Sequence, residues 1–224
     1  MHIGKNNKQH NYTMNSYETG EPIPLEKTEL ERDLGILLSK NLKFSEQANK
    51  AAANANRKLG LLKKTFRFRG ADMWKRLYVS YVRPHLEYAI PVWNPYTQTD
   101  INIIERIQRR ATKIAHSLKG TSYVERCRIL GLTDLQTRRK RGDLIQKYKI
   151  EKKFDEIEWS YPPISAPPRG ERRGQLIREL NKSCDQRFNF FNNRKASMWN
   201  DLSNEIITAV STNSFKKKLD TYFK

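Results

Sequence analysis

The chain has 224 residues, enough for one or two domains with a sizeable core, and its 43 Lys and Arg against 24 Asp and Glu give a net charge of +19. This charge indicates a polyanionic partner, most often nucleic acid; a ribosomal-type structural protein and simple solubility are the alternatives. Two cysteines exclude a disulfide framework, and no apolar run reaches the ~18 residues of a membrane span. We expect an intracellular protein of the nucleus or cytoplasm, with no signal peptide and no membrane partner.

Residues 1–43 contain short extended pieces and no helical period. Residues 12–14 and 22–25 flank the turn-prone Glu18-Thr19-Gly20, and a compact apolar run follows over residues 33–38. This pattern predicts a small N-terminal antiparallel β-hairpin unit. Such a unit is marginal by itself, so we expect a helix or a partner to cover it.

Residues 44–154 predict a bundle of about five helices. The first begins at Ser45, the expected N-cap, and stops at Gly70, with apolar residues at three- and four-residue steps. The second starts near residue 71 and is ended or kinked by Pro84. The third covers residues 100–118. The expected core residues of the bundle are Leu59, Leu62, Leu77, Ile104, Ile107, Ile114 and Leu144.

Two capping boxes predict the starts of the remaining helices. Ser122 precedes Glu125 by three residues, and Thr133 precedes Gln136 by the same spacing, which allows reciprocal capping of two backbone N–H groups. Gly131 separates these helices as a C-cap. The last helix is predicted to end near residue 154.

Residues 155–174 predict a Pro-rich linker, because Pro162-Pro163 and Pro167-Pro168 prevent a helix from continuing. Residues 175–224 predict a small C-terminal α/β unit, in which residues 188–191 form a short strand and two helices follow. The predicted fold class is therefore mostly α.

The sequence offers little for catalysis. It contains no Asp-Asp pair of the kind that holds two metal ions in polymerases, and residues 155–158 read as a solvated acidic run. The four histidines have no metal-ligand spacing with Cys127 or Cys184. We expect no enzymatic activity, no bound metal and no cofactor.

The basic residues are the better candidates for function. Guanidinium groups pair bidentately with phosphate oxygens, and two predicted helices carry runs of cations beside their apolar stripes with few acids nearby. A solvated helix face is the competing interpretation. The candidates are Arg106, Arg109, Arg110 and Lys113 on the third helix, and Arg138, Arg139 and Arg141 on the last.

A third basic segment, residues 57–69, interleaves cations with aromatic rings. Such a surface can follow a nucleic-acid backbone and offer stacking platforms. We expect Phe66 to lie in the core and Phe68 to be free. The candidate cations are Arg57, Lys58, Lys63, Lys64, Arg67 and Arg69.

Several short blocks resemble the reverse transcriptases of LINE-type (jockey-like) non-LTR retrotransposons. They are Asp33-Leu34-Gly35-Ile36-Leu37, Arg83-Pro84-His85-Leu86-Glu87-Tyr88, Ile107-Gln108-Arg109-Arg110-Ala111-Thr112-Lys113, Leu130-Gly131-Leu132 and Trp199-Asn200-Asp201-Leu202. They occur in the order of that family and cover nearly the whole chain. The resemblance is to the primer-grip end of the palm (residues 1–43), the thumb (44–154) and the region after it. It adds Arg83 to the candidate nucleic-acid-binding residues.

The resemblance implies a role in holding template and primer, through backbone contacts to RNA or an RNA–DNA duplex. The family's catalytic palm, with its aromatic-x-Asp-Asp turn, is not in this sequence, so the implied function is non-catalytic, with the palm as a partner in longer relatives. The alternative is a protein-interaction or decayed fragment with no selected activity. In that case apolar residues without their palm contacts should be exposed, and the expected ones are Trp74, Tyr78, Tyr81 and Trp93.

Overall fold

A computed structural model of the protein describes residues 1–4, 6–68, 70–168, 174–181 and 183–223. The fold is mostly α with antiparallel strands near the N-terminus, as the sequence predicts, but the single predicted hairpin unit is two separate two-stranded hairpins. The first hairpin pairs β1 (Thr13–Asn15) with β2 (Pro22–Pro24), and the second pairs β3 (Leu30–Asp33) with β4 (Ile36–Ser39).

The second hairpin is attached to the helices. Its two-residue turn has Leu34 and Gly35 at φ 44° and 86°, the left-handed conformation of a tight hairpin turn. Ile36 is buried in the core, and the Leu37 N–H on the outer edge of β4 donates to Oε1 of Gln47 at 2.9 Å. The Tyr88 hydroxyl donates to the Leu34 carbonyl at 2.9 Å.

The helical part begins with α1 (Ser45–Thr65), followed by α2 (Ala71–Leu77), α3 (Arg83–Glu87), α4 (Ile90–Trp93) and α5 (Gln98–Thr112). It continues with α6 (Tyr123–Leu130) and α7 (Leu135–Glu151). The third predicted helix therefore ends earlier than expected, and His116–Leu118 form a separate 3₁₀ turn. Ser45 is not the N-cap: Phe44 has that position, and the Ser45 hydroxyl donates to Oδ2 of Asp100 at 2.9 Å.

Pro84 neither ends the helix nor leaves it regular. A π-helical turn, Tyr78–Val82, joins α2 to α3, and Pro84 lies in the first turn of α3. Because proline lacks an N–H and crowds the carbonyl four residues earlier, the wider turn before it accommodates the ring.

The predicted caps are partly confirmed. The Ser122 hydroxyl accepts from the Glu125 N–H at 3.2 Å, and Gly131 ends α6 in the left-handed conformation. The predicted box at Thr133 is wrong. Asp134 is the N-cap of α7 and accepts from the Thr137 N–H at 2.8 Å, because the helix begins one residue later and a carboxylate caps as well as a hydroxyl.

The core has two clusters. The first lies among β4 and the helices from α1 to α7; it contains Leu59, Leu62, Ile104 and Ile107 as predicted, with Leu77 and Ile114 partly buried against it. The first cluster also contains Trp74, Tyr78 and Trp93, each at most 1% exposed. The expectation that these three residues are exposed is therefore wrong. Of the four residues expected to be exposed, Tyr81 alone is exposed.

The C-terminal helices are α8 (Asp185–Phe188), α9 (Phe191–Asn200), α10 (Asn204–Ile207) and α11 (Thr212–Tyr222). The second cluster joins the C-terminal half of α7 to α9, α10 and α11. Tyr148 stacks on Phe215 with ring centroids 4.2 Å apart, and Leu144 and Trp199 pack beside them. The strand predicted over residues 188–191 is wrong: the phenylalanines end α8 and begin α9. Over the described ranges, no helix is long and apolar enough to cross a membrane.

Candidate nucleic-acid interface

Helices α1 and α5 lie side by side and run in the same direction. Ser45 bonds Asp100 at the start of the pair, and the Arg110 guanidinium donates to Oδ1 of Asn56 at 3.0 Å further along. The first contact joins residues that are 55 positions apart in sequence, and the second joins residues that are 54 positions apart. Such a nearly constant separation along two helices means that the helices are parallel. The C-terminal halves of both helices therefore lie together.

These halves and the residues directly after them carry nine of the cations that the sequence singled out. Every one of these side chains is exposed, and we call them the α1–α5 basic surface: Arg57, Lys58, Lys63, Lys64, Arg67, Arg106, Arg109, Arg110 and Lys113. Residues 47–71 and 106–124 contain no Asp or Glu. The negative ends of both helix dipoles favour cations at this position, which is a structural reason for part of this charge.

Most of these cations are available to a ligand. Arg109 lies over the ring of Tyr123, 4.9 Å from its centroid, and Arg110 is oriented by Asn56. Within the described part of the chain, no partner is recorded for six of them: Arg57, Lys58, Lys64, Arg67, Arg106 and Lys113.

The aromatic residues next to this surface lie as predicted. Phe68 is 75% exposed, whereas Phe66 is partly buried against the first core cluster. Leu61 is also exposed on the outer side of α1. Arg69, another predicted site residue, lies outside the described residues.

The sequence predicts few carboxylates near the basic residues of α7, but the structure pairs two of these arginines with carboxylates. Arg138 forms a bidentate pair with Glu87 of α3, one bond being 2.9 Å, and this pairing raises the pKa of Arg138. Arg141 pairs with Asp220 of α11, one bond being 3.0 Å. These partners are 51 and 79 residues away in sequence, so local spacing could not reveal them.

Arg83 and Arg139 are also withdrawn from solvent. Arg83 is half-buried, 3.7 Å from Glu87, and burial followed by the charge of Arg138 lowers its pKa. Arg139 is 2% exposed, its three guanidinium nitrogens have no hydrogen-bond partner, and burial lowers its pKa. The structure therefore gives no exposed cluster of Arg83, Arg138, Arg139 and Arg141, and their contact with nucleic acid stays an untested prediction.

A buried polar network beneath α5 fixes the orientation of the helix. Gln108 accepts from the Tyr78 hydroxyl at 2.8 Å and donates to the Tyr123 hydroxyl at 2.9 Å. Tyr123 donates in turn to Glu105, whose second oxygen accepts from the Leu135 N–H at 3.1 Å. Burial raises the pKa of both phenols, so both remain donors. The sequence signal was two polar residues on the buried stripe of α5.

A second set of buried charges lies where α7 meets α9. Asp143 accepts two bonds of 2.8 Å from Arg194 and is fully buried. Lys195 is 1% exposed and lies over the Phe191 ring, 3.5 Å from its centroid. Burial, followed by the charge of Lys147, lowers the pKa of Lys195 to about 6. The amine is buried and so is not accessible to a ligand.

A cavity of about 900 Å³ lies between α4, α7, the Pro-rich segment and α9. Its lining is mainly apolar. The two arginines among its described lining residues already pair with carboxylates, Arg187 with Glu179 and Arg194 with Asp143. Among the residues described, no group of three or more His, Cys, Asp or Glu is arranged to hold a metal ion. The α1–α5 basic surface is therefore the stronger candidate site.

No family model matches the chain, and no solved structure matches it. It is similar to an uncharacterized protein of Caenorhabditis elegans, with 26% identity over 137 residues, which are 60% of this chain and 67% of the nematode protein.

Proposed function

We propose that this protein binds the sugar–phosphate backbone of RNA or of an RNA–DNA duplex through the α1–α5 basic surface. The observation that carries the proposal is the parallel placement of the two helices, which collects nine exposed cations with no acidic residue in the same segments. Neutralising phosphates releases condensed counterions, which is the main source of affinity for such a surface.

The chemistry of this surface favours backbone contacts over base reading. Lysine and arginine bind phosphate oxygens whatever the sequence, and phosphate contacts position a protein without specifying bases. Phe68, exposed beside Arg67, offers a stacking face to an unpaired base, and this contact also tolerates any sequence. We therefore expect little dependence on base sequence.

We further propose that this role corresponds to the thumb of a LINE-type retrotransposon reverse transcriptase and that it is non-catalytic. The resemblance of the sequence blocks supports the first part, and the absence of an Asp-Asp pair from the sequence supports the second. RNA is present in the nucleus and the cytoplasm, and either compartment suits the proposal.

The test is a fluorescence-anisotropy titration of a labelled RNA–DNA duplex over a series of salt concentrations. We expect micromolar or tighter binding at low salt, with the logarithm of affinity falling linearly with the logarithm of salt concentration. Two duplexes of unrelated sequence should bind alike. No binding at low salt would refute the proposal. In a separate primer-extension assay with Mg²⁺ or Mn²⁺, we expect no nucleotide incorporation.

The alternative, a protein-interaction or decayed fragment without selected activity, is favoured by one observation. The apolar residues that remain exposed include a group on the first hairpin: Tyr12, Met14, Ile23 and Leu25. Under this alternative, self-association persists at high salt, whereas phosphate binding is lost there. Light scattering at low and high salt, with and without RNA, separates the two.

A further inference from the structure

One face of the first hairpin carries four apolar residues that no other part of the described chain covers. Opposite residues of an antiparallel pair lie on the same face, and Met14 pairs with Ile23 while Tyr12 lies opposite Leu25. These four side chains are 60%, 64%, 52% and 50% exposed for Tyr12, Met14, Ile23 and Leu25. The His2 ring stacks on Tyr12 at 6.0 Å without covering it.

The two edges of this hairpin differ. The Leu25 N–H donates to Tyr12 O and the Ser16 N–H donates to Glu21 O, both at 2.8 Å. In an antiparallel pair, hydrogen-bonded residue pairs alternate with pairs whose backbone N–H and C=O groups point away from the partner strand. On β2 the outward positions are Pro22 and Pro24, which have no N–H to offer.

On β1 the outward positions are Thr13 and Asn15, which keep both their N–H and C=O groups, and the strand is exposed throughout. The edge of β1 is therefore open to another strand, and the edge of β2 is closed.

The segment that contains both hairpins has a charge opposite to that of the chain as a whole. Residues 12–39 contain six acidic and two basic residues, in a protein of net charge +19. Glu21 follows the turn at one end of the hairpin, and Glu26 follows Leu25 at the other end. Both side chains are exposed. Carboxylates here repel a nucleic acid and attract a cationic polypeptide.

We propose that the first hairpin binds a protein partner by strand addition to the open edge of β1. The partner presents an extended segment whose alternate apolar residues lie beside Tyr12 and Met14, with a Lys or Arg at each end facing Glu21 and Glu26. A third strand extends the apolar face, which a two-stranded hairpin cannot stabilise alone. This inference does not depend on nucleic-acid binding, because it uses a separate surface of opposite charge.

The test uses the full chain and a short labelled peptide of alternating valine and threonine with lysine at both ends. The matched control peptide has glutamate at both ends. Thr13→Pro removes an outward N–H without touching the bonds within the hairpin, and Thr13→Val keeps that N–H. Met14→Lys removes an apolar contact and adds a positive charge that repels a cationic peptide. Met14 is exposed, so the substitution does not disturb the core.

We expect the lysine peptide to bind the wild type and the Thr13→Val protein with affinities within about twofold of each other. Thr13→Pro and Met14→Lys should each weaken binding about tenfold or more, and the glutamate peptide should not bind. Equal binding by Thr13→Pro and Thr13→Val, or equal binding of the two peptides, would overturn the proposal. Self-association of the wild type that Thr13→Pro abolishes would also overturn it, because the edge then serves a second copy of the chain.

Discussion

The guanidinium of Arg110 donates a 3.0 Å hydrogen bond to Oδ1 of Asn56, which links the last turns of α5 to the middle of α1. The contact brings the cations of two segments far apart in sequence onto one surface. A bond from an exposed arginine to a neutral amide contributes little to stability, since water replaces it readily. Arg110 can therefore turn to a phosphate.

Replacing Arg109 and Arg110 together with alanine should weaken nucleic-acid binding to the same extent for every sequence tested. Each lost phosphate contact should also reduce the slope of log affinity against log salt by about 1. Anisotropy titrations at several salt concentrations measure both quantities.

The matched control for this variant replaces Arg128 and Arg187, which are exposed but pair with Glu125 and Glu179. It removes the same charge from elsewhere on the protein and should leave the slope nearly unchanged. A loss of affinity equal to that of the Arg109 and Arg110 variant would show that only net charge matters.

Arg138→Ala should lower stability, because Arg138 is the bidentate partner of Glu87. The substitution leaves Glu87 partly buried with only Arg83, 3.7 Å away, so we expect a loss of about 1–3 kcal/mol in the free energy of unfolding. Urea unfolding measures the loss. The neighbouring Lys140 is exposed, and Lys140→Ala should change stability by less than about 0.5 kcal/mol. An unchanged free energy of unfolding would contradict the structural role of Arg138, and a drop in affinity alone would place Arg138 on the nucleic acid.

Lys195 should make the protein more stable as pH rises from about 6.5 to about 8.5. Burial lowers the pKa of Lys195 to about 6 in the folded protein, below its ordinary value of 10.5. In this pH range the unfolded chain therefore binds more protons than the folded protein. The free energy of unfolding rises with pH, with a limiting slope of about 1.4 kcal/mol per pH unit. Urea midpoints of the wild type and Lys195→Met should diverge at low pH, with the variant the more stable. Parallel pH profiles would contradict this assignment.

Much of the helical architecture follows from local sequence signals. The apolar stripes place Leu59 and Ile104 in the core, and Ser122 and Gly131 mark the ends of α6. These signals act within a turn or two of helix, so they can be read without knowing the fold. The sequence places the cap of α7 one residue too early, because Thr133 and Asp134 are both good caps and only the backbone conformation distinguishes them.

The missed features depend on contacts between distant segments. Glu87 meets Arg138 only because α3 packs near α7, and Gln108 is satisfied by Tyr78 and Tyr123 only once α5 is in place. A run of arginines has the same appearance in sequence whether carboxylates reach it or not. The two basic segments of the α1–α5 basic surface could be predicted because neither contains an acid, but their placement side by side could not.

The most direct test of the central claim is a charge reversal at unpaired positions of the α1–α5 basic surface. Arg106→Glu with Lys113→Glu should abolish binding of an RNA–DNA duplex at low salt, because both exposed cations flank Arg109 and Arg110 on α5. Lys140→Glu with Lys217→Glu changes net charge equally at exposed positions of α7 and α11 and should retain most of the affinity. Thermal unfolding confirms that both variants are folded. Equal loss of affinity in the two variants, or full affinity in the first, would contradict the account.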